Sequence, residues 1–187
     1  MAHDTLPPHL GGHLDITHLD ISNLKYLKDK YNIKTMIDIG CGPGGMIREA
    51  KNLGIEAEGI DGDFTLKFSD ISVVINDFTK SSFKFNKTFD LAWSVEFVEH
   101  VAKEYIDNYM SVFKEATYVF MTHSPYTGPW HFNVEPSSYW IKLFEEHGFI
   151  FMPKETDFIR SNSSMERDFV RGYGHFFLNP AKLNKLN

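Results

Sequence analysis

The sequence predicts an α/β fold: a three-layer sandwich on a mainly parallel, seven-stranded sheet with an antiparallel strand at one edge. Three observations predict it. Short apolar strand runs alternate with helically spaced apolar runs through the first two thirds of the chain, the pattern of strand–helix–strand crossovers. A glycine cluster follows the first strand run, where the backbone must turn sharply into a helix. The last two strand runs read as joined by a loop or short hairpin, which adds them antiparallel.

In chain order, residues 1–14 read as an extended arm or lid, since Pro7, Pro8, Gly11 and Gly12 oppose regular structure. Ile21, Leu24, Leu27 and Tyr31 then recur at helical spacing. Residues 35–40 form a short buried strand, and residues 45–53 a helix with Met46, Ala50 and Leu53 on one face and Gly54 as its stop. Strands follow at 55–61, 73–77 and 89–95. Val98, Val101, Ala102, Tyr105, Tyr109 and Val112 mark one face of a longer helix, which leads to a fifth strand at 117–122. After a loop rich in Pro, Gly and His, Pro136 suits the first turn of a helix lined by Trp140, Leu143, Phe144 and His147 and ended by Gly148. The last strands fall near 149–152 and 175–178. The run 161–168 between them is either a solvated loop or one that closes over a site. No repeat interrupts this order, so residues 1–187 read as one domain.

With 42% hydrophobic and 24% charged residues, the composition is that of an ordinary globular protein. Aromatic residues make up 15%, enough that some rings are free to line a pocket for a flat ligand. The net charge of −6, without any run of Lys or Arg, points to a small-molecule partner rather than a polynucleotide. A single cysteine, Cys41, excludes an internal disulfide and fits a reducing compartment. There is no 18-residue apolar stretch and no basic-then-apolar start, so the expectation is a soluble, cytoplasmic chain with no membrane span.

Sheets of this kind bind ligands at the carboxyl ends of their strands. There, Asp38-Ile39-Gly40-Cys41-Gly42-Pro43-Gly44-Gly45 places four glycines in six residues. Backbone can then approach a ligand closely, and the following helix aims free amides into the turn. Asp61 stands 21 residues beyond Gly40, at a strand tip suited to ribose hydroxyls. Gly40, Gly42 and Gly45 also satisfy G-x-G-x-x-G, so a nicotinamide- or flavin-dependent oxidoreductase is an alternative. Asp38 weighs against it, because a carboxylate there repels a pyrophosphate and suits an amino group or sulfonium. The chain is also short for a dinucleotide domain plus a substrate domain.

The run Asp38-Ile-Gly-Cys-Gly-Pro-Gly44 resembles the first motif of class I, Rossmann-like S-adenosylmethionine-dependent methyltransferases. Gly59-Ile-Asp61-Gly-Asp63 resembles their second, and Asn76-Asp77-Phe78 the third-strand acid and neighbour that flank adenine. Residues 89–101 resemble the strand and helix start that close the pocket. The resemblance runs in order over about residues 34–151. The small size and the stretch from Tyr139-Trp140 to His147-Gly148-Phe149 are similar to compact members encoded by bacteriophages. It implies S-adenosylmethionine as cofactor and methyl transfer to an oxygen or nitrogen of an acceptor. Position by position, Gly40 and Gly42 admit the methionine part, and Asp61 binds the ribose hydroxyls beside Gly62. Asp77 accepts from the adenine amino group, Phe78 packs on the ring, and Ser94 and Val95 line the sulfonium side. Asp77 as a turn cap and Phe78 as plain core are the simpler alternatives. A non-catalytic cofactor-binding subunit is the alternative to an enzyme.

Glu96-Phe-Val-Glu99-His100 sets two carboxylates and an imidazole three and four residues apart, on one face once a helix has begun. They are a plausible divalent-ion set. The arrangement resembles that of ubiquinone-pathway O-methyltransferases and small-RNA 2′-O-methyltransferases, some of which hold a metal there, completed in the latter by a later histidine. His131 fits that later position better than His123. Acids favoured at a helix start without any metal are the plainer reading. In that case His100, His123 or His131 remains a candidate general base.

Overall fold

The structure, a computed structural model, describes residues 6, 7 and 9–183. Residues 1–5, Pro8 and the last four, among them part of the expected arm, lie outside the described residues. Strands β1 (Thr35–Ile39), β2 (Glu56–Asp61), β3 (Ser72–Ile75), β4 (Phe89–Ser94), β5 (Ala116–Met121), β6 (Ile150–Phe151) and β7 (His175–Leu178) form one sheet. Their order is β3-β2-β1-β4-β5-β7-β6. The five strands from β3 to β5 pair in parallel, whereas β7 runs antiparallel to both β5 and β6. The antiparallel addition thus lies at the expected edge, with β7 one place in and the two-residue β6 outermost.

The period-two alternation of the strands divides the core into two layers. Met36, Leu91, Trp93, Phe120 and Phe176 face one side and pack with Leu24 and Leu27 of α1 (Ile21–Tyr31), Ile47 and Ala50 of α2 (Gly45–Asn52), Ile159 of α5 (Pro153–Asn162) and Val170 of α6 (Phe169–Tyr173). Ile37, Ala92, Val119, Met121 and Phe177 face the other and meet Tyr109 and Phe113 of α3 (Ile106–Phe113) and Trp140 and Phe144 of α4 (Ser137–Glu146). Each fully buried aliphatic or phenyl side chain contributes about 1.5–3 kcal/mol. This places the three layers.

Two stretches depart from expectation. The single helix expected over residues 98–112 is instead two 3-10 turns, Val98–His100 and Lys103–Tyr105, ahead of α3. Val101 and Ala102 between them are extended (ψ 122° and 153°), which breaks the helical ladder, and β-branched Val101 favours that conformation. The expected loop or hairpin before β7 holds α5 and α6. The buried face of α5 mixes Ile159 with Glu155 and Thr156, so no apolar period advertises it. Pro136 takes the N-cap of α4, one place before its first turn.

Candidate active site

β1, β2 and β3 end side by side, and their tips bring Asp38, Asp61 and Asp77 to the wall of one cavity of about 580 Å³. Gly40 and Gly42 line it with φ of +72° and +48°, a region that only glycine occupies cheaply. Any Cβ at Gly40 would lie 2.5 Å from Phe97, so the ring closes down on the turn. Asp61 locks the loop from the neighbouring strand: one carboxylate oxygen accepts from the Gly42 amide (2.8 Å), the other from the Asp63 amide (2.8 Å).

Asp38 is buried, and no hydrogen bond to its carboxyl occurs among the described residues. Burial, and then the Asp61 charge, push its pKa up to about 8. Asp77 is the opposite case. Despite burial, which raises it, hydrogen bonds from Thr79 and His9 hold its pKa below the ordinary carboxylate value. Its Oδ1 accepts from the Thr79 amide (2.9 Å), the Thr79 hydroxyl (2.7 Å) and His9 (3.0 Å). Its buried Oδ2 accepts no hydrogen bond, although the exposed Lys80 ammonium lies 3.3 Å away. One acceptor therefore remains for a ligand amino group. Phe78 lines the cavity, edge-on to Phe97 at 5.8 Å.

Val95 reaches the cavity wall, but Ser94 does not. The Ser94 side chain is fully buried and donates to the Ile39 carbonyl (2.9 Å), bracing β4 against β1, so the expected place of Ser94 beside the cofactor is corrected. Cys41 also lines the cavity, with its thiol pKa raised chiefly by burial, which removes it as a nucleophile.

The arm roofs this cavity. Leu10 sits where a Cβ on Gly62 would come within 2.5 Å of it, and His9 holds Asp77. His13 reaches the buried Asp63 (3.1 Å), and the Thr17 hydroxyl accepts from the first amide of α2, that of Gly45 (3.1 Å). Sequence reasoning named none of these four contacts. The only local signal for them was the histidines beside the glycine pair.

On the wall of the same cavity, His100 and His131 meet the buried Glu99, with the ligand atoms of all three within 4.8 Å of one another. The cause is a tether: the amides of Phe132 and Asn133 both donate to the Glu99 carbonyl (2.8 and 3.0 Å), which swings the preceding loop over the 3-10 turn. His100 Nδ1 pairs with the Trp130 carbonyl (2.8 Å) and His131 Nδ1 with the Tyr126 carbonyl (2.7 Å). Carbonyls only accept, so both rings carry the proton on Nδ1 and present a bare Nε2. Both carboxylate oxygens of Glu99 are buried without a hydrogen-bond partner among the described residues. Burial, then the neighbouring Glu96, raise its pKa. Glu96 stands outside this group. It adopts a left-handed backbone (φ 51°), with its carboxylate taking the Thr122 hydroxyl. His123 is remote, buried against His175 and bonded to Ser137.

A second cavity of about 680 Å³ adjoins the first and shares Glu96, Ser124, Tyr126, Arg167 and Phe169 with it. Tyr126 thus lines both cavities, whereas Trp140 is fully buried core. Trp130 lines only the first cavity, and Phe132 neither.

Fold and site together give a Rossmann-like sheet whose strand tips open on one cavity lined by acids and glycines. The family model of a methyltransferase domain matches residues 37–121, which span the glycine turn, Asp61, Asp77 and the Glu99–His100 pair. Over the segment that builds this site the chain is similar to methyltransferase domains. This match favours S-adenosylmethionine over a nicotinamide dinucleotide at the glycine turn.

Solved structures agree on the fold. The sugar N-methyltransferase KedS8 from Streptoalloteichus superposes with a TM-score of 0.64 at 9% identity, over 86% of this chain and 88% of that one. A TehB-like S-adenosylmethionine-dependent methyltransferase from Corynebacterium glutamicum gives 0.61 at 14%, over 84% and 87%. The methyltransferase domain of bacterial CtHen1 gives 0.55 at 15%, over 84% and 95%. No curated protein sequence matches the chain. No helix among the described residues is long and apolar enough to cross a membrane.

Proposed function

We propose that this chain moves the methyl group of S-adenosylmethionine to an oxygen or nitrogen of a small-molecule acceptor seated in the second cavity. One observation carries the reading: a single cavity collects the three strand-tip acids Asp38, Asp61 and Asp77 around Gly40, Gly42 and Gly62, and opens onto a second chamber. When bound, the cofactor supplies an already activated methyl group, so the protein's work is orientation and a charge-matched, dry site. Asp38 would face the amino group of the methionine part, Asp61 the ribose hydroxyls, Asp77 Oδ2 the adenine amino group and Phe78 the ring. Residues 9–18 would serve as the lid over the bound cofactor. The net charge of −6 favours a small acceptor over a polynucleotide.

Glu99, His100 and His131 would hold a divalent ion. The donor set supports this: an orphaned buried carboxylate and two imidazoles whose Nδ1–H groups are already committed to carbonyls, the usual way metal-binding rings are aimed. Such an ion would ease loss of the acceptor's proton. His100 suits this role better than that of a base. Burial and then His131 push its pKa down to about 4, so it is neutral but only weakly basic near pH 7.

Calorimetry with S-adenosylhomocysteine and with NADH tests the cofactor, and methyl transfer from labelled donor into a metabolite pool tests catalysis. Binding of NADH alone would overturn the reading. Cofactor binding without transfer to any acceptor would make the chain a non-catalytic subunit.

A further inference from the structure

We propose that Arg167 is the anion receptor of the acceptor cavity, and that the acceptor carries a carboxylate or phosphate beside its nucleophilic atom. The inference rests on the methyltransferase reading and adds the chemical class of the second substrate.

It follows from how charge is distributed on the wall of the 680 Å³ cavity. Glu166 is engaged by His18 Nδ1. Asp168 accepts from Arg171 Nε at 2.9 Å, and Arg171 further donates to the Met165 carbonyl at 2.6 Å and to the Glu166 and Arg167 carbonyls. Arg171 is therefore consumed in fastening its own loop. Glu96, at the inner end, takes the Thr122 hydroxyl.

Arg167 is the cation of this wall that has no ion pair or side-chain hydrogen bond among the described residues. Its guanidinium lies 5.3 Å from the centroid of the Phe169 ring. That ring is in turn held edge-on by His18 at 5.1 Å. Resting on an aromatic ring restrains the guanidinium while leaving its N–H edge available, and that edge matches carboxylate and phosphate bidentately. In the same lining, the Tyr126 and Tyr173 hydroxyls share one hydrogen bond of 2.7 Å. Only one of their two O–H groups is used in it, so a neutral donor accompanies the cation. A guanidinium and a phenolic O–H are an oxyanion-binding pair. The same guanidinium borders the cofactor cavity, so the carboxylate of the cofactor is a second source of the same chemistry, and the experiment must separate the two.

The test is calorimetric titration of benzoate, phenyl phosphate and neutral benzamide into protein saturated with S-adenosylhomocysteine, for wild type and the exposed-site variant Arg167→Gln. The expected result is a preference for the anions over benzamide of about tenfold or more, the value of one charge-assisted hydrogen bond. That preference weakens with added salt and disappears in Arg167→Gln, while S-adenosylhomocysteine binds both proteins equally. Equal binding of benzoate and benzamide, absent anion binding, or anion binding untouched by Arg167→Gln would each overturn the proposal. So would a tenfold loss of S-adenosylhomocysteine affinity with anion binding intact, which would assign Arg167 to the cofactor. Wild-type protein that took the anions but not S-adenosylhomocysteine would refute the methyltransferase reading and leave anion recognition standing.

Discussion

At pH 7 the Asp38 carboxyl of the ligand-free protein is mostly protonated, because burial and the Asp61 charge hold its pKa near about 8. A cationic amino group delivered beside it favours the ionised form, so cofactor binding must expel a proton. From a pKa of about 8, the ionised fraction at pH 7 is about one in eleven, a cost of about 1.4 kcal/mol charged against binding. If the ionised form is the one that binds, the apparent Kd falls about fiftyfold between pH 6 and pH 8 and levels off above. The sign follows from the direction of the shift: a raised carboxyl must be deprotonated, so affinity grows with pH. Calorimetry at pH 7 in two buffers of different ionisation enthalpy should register about 0.9 proton released per S-adenosylhomocysteine bound. Asp38→Asn removes the release and flattens the profile, and it separates Asp38 from titration of the ligand's own amino group. Parallel profiles for wild type and Asp38→Asn, with no protons released, would refute the argument.

Three further outcomes follow from the geometry. Truncation before residue 15 removes the His9–Asp77 contact and the Leu10 cover, and should weaken S-adenosylhomocysteine binding about tenfold, mainly through faster release in stopped-flow chase experiments. Glu99→Gln should leave the melting temperature of chelator-treated protein within a few degrees, since the Glu99 oxygens have no hydrogen bond to lose, while abolishing the thermal shift on adding Mn²⁺. Near-normal metal-induced stabilisation in that variant would remove Glu99 from the ligand set. His123 and His175, pushed down chiefly by burial to about 4 and about 3, should stay neutral in ¹⁵N imidazole spectra from pH 8 to pH 5.5. Titration of either near pH 6.5 would contradict their burial.

Much of this arrangement was legible locally. A glycine run after an apolar strand and an acid one strand further on are short-range patterns, and they marked Gly40, Gly42 and Asp61 because a tight turn needs particular residues in a particular order. What escaped was tertiary. Ser94 sits at the right place in the chain, yet the sheet turns its hydroxyl towards the Ile39 carbonyl. The helix expected after β4 is broken by Val101 and Ala102, whose extended backbone no apolar spacing records. His131 meets His100 because two amides hang its loop from the Glu99 carbonyl, a link with no side-chain signature. The arm contacts join residues 28 to 68 positions apart, beyond the reach of any periodicity.

Residues 9–18 cover one chamber, while His18 and, two positions on, Asp20 brace the rim of the next through Glu166, Ser163 and Ser164. Two guests therefore share a single door frame. Any motion that lets the nucleoside thioether exchange also slackens the vestibule of its co-reactant. The expected traffic is ordered, nucleoside first in and last out, and product-inhibition patterns that showed random order would refute it.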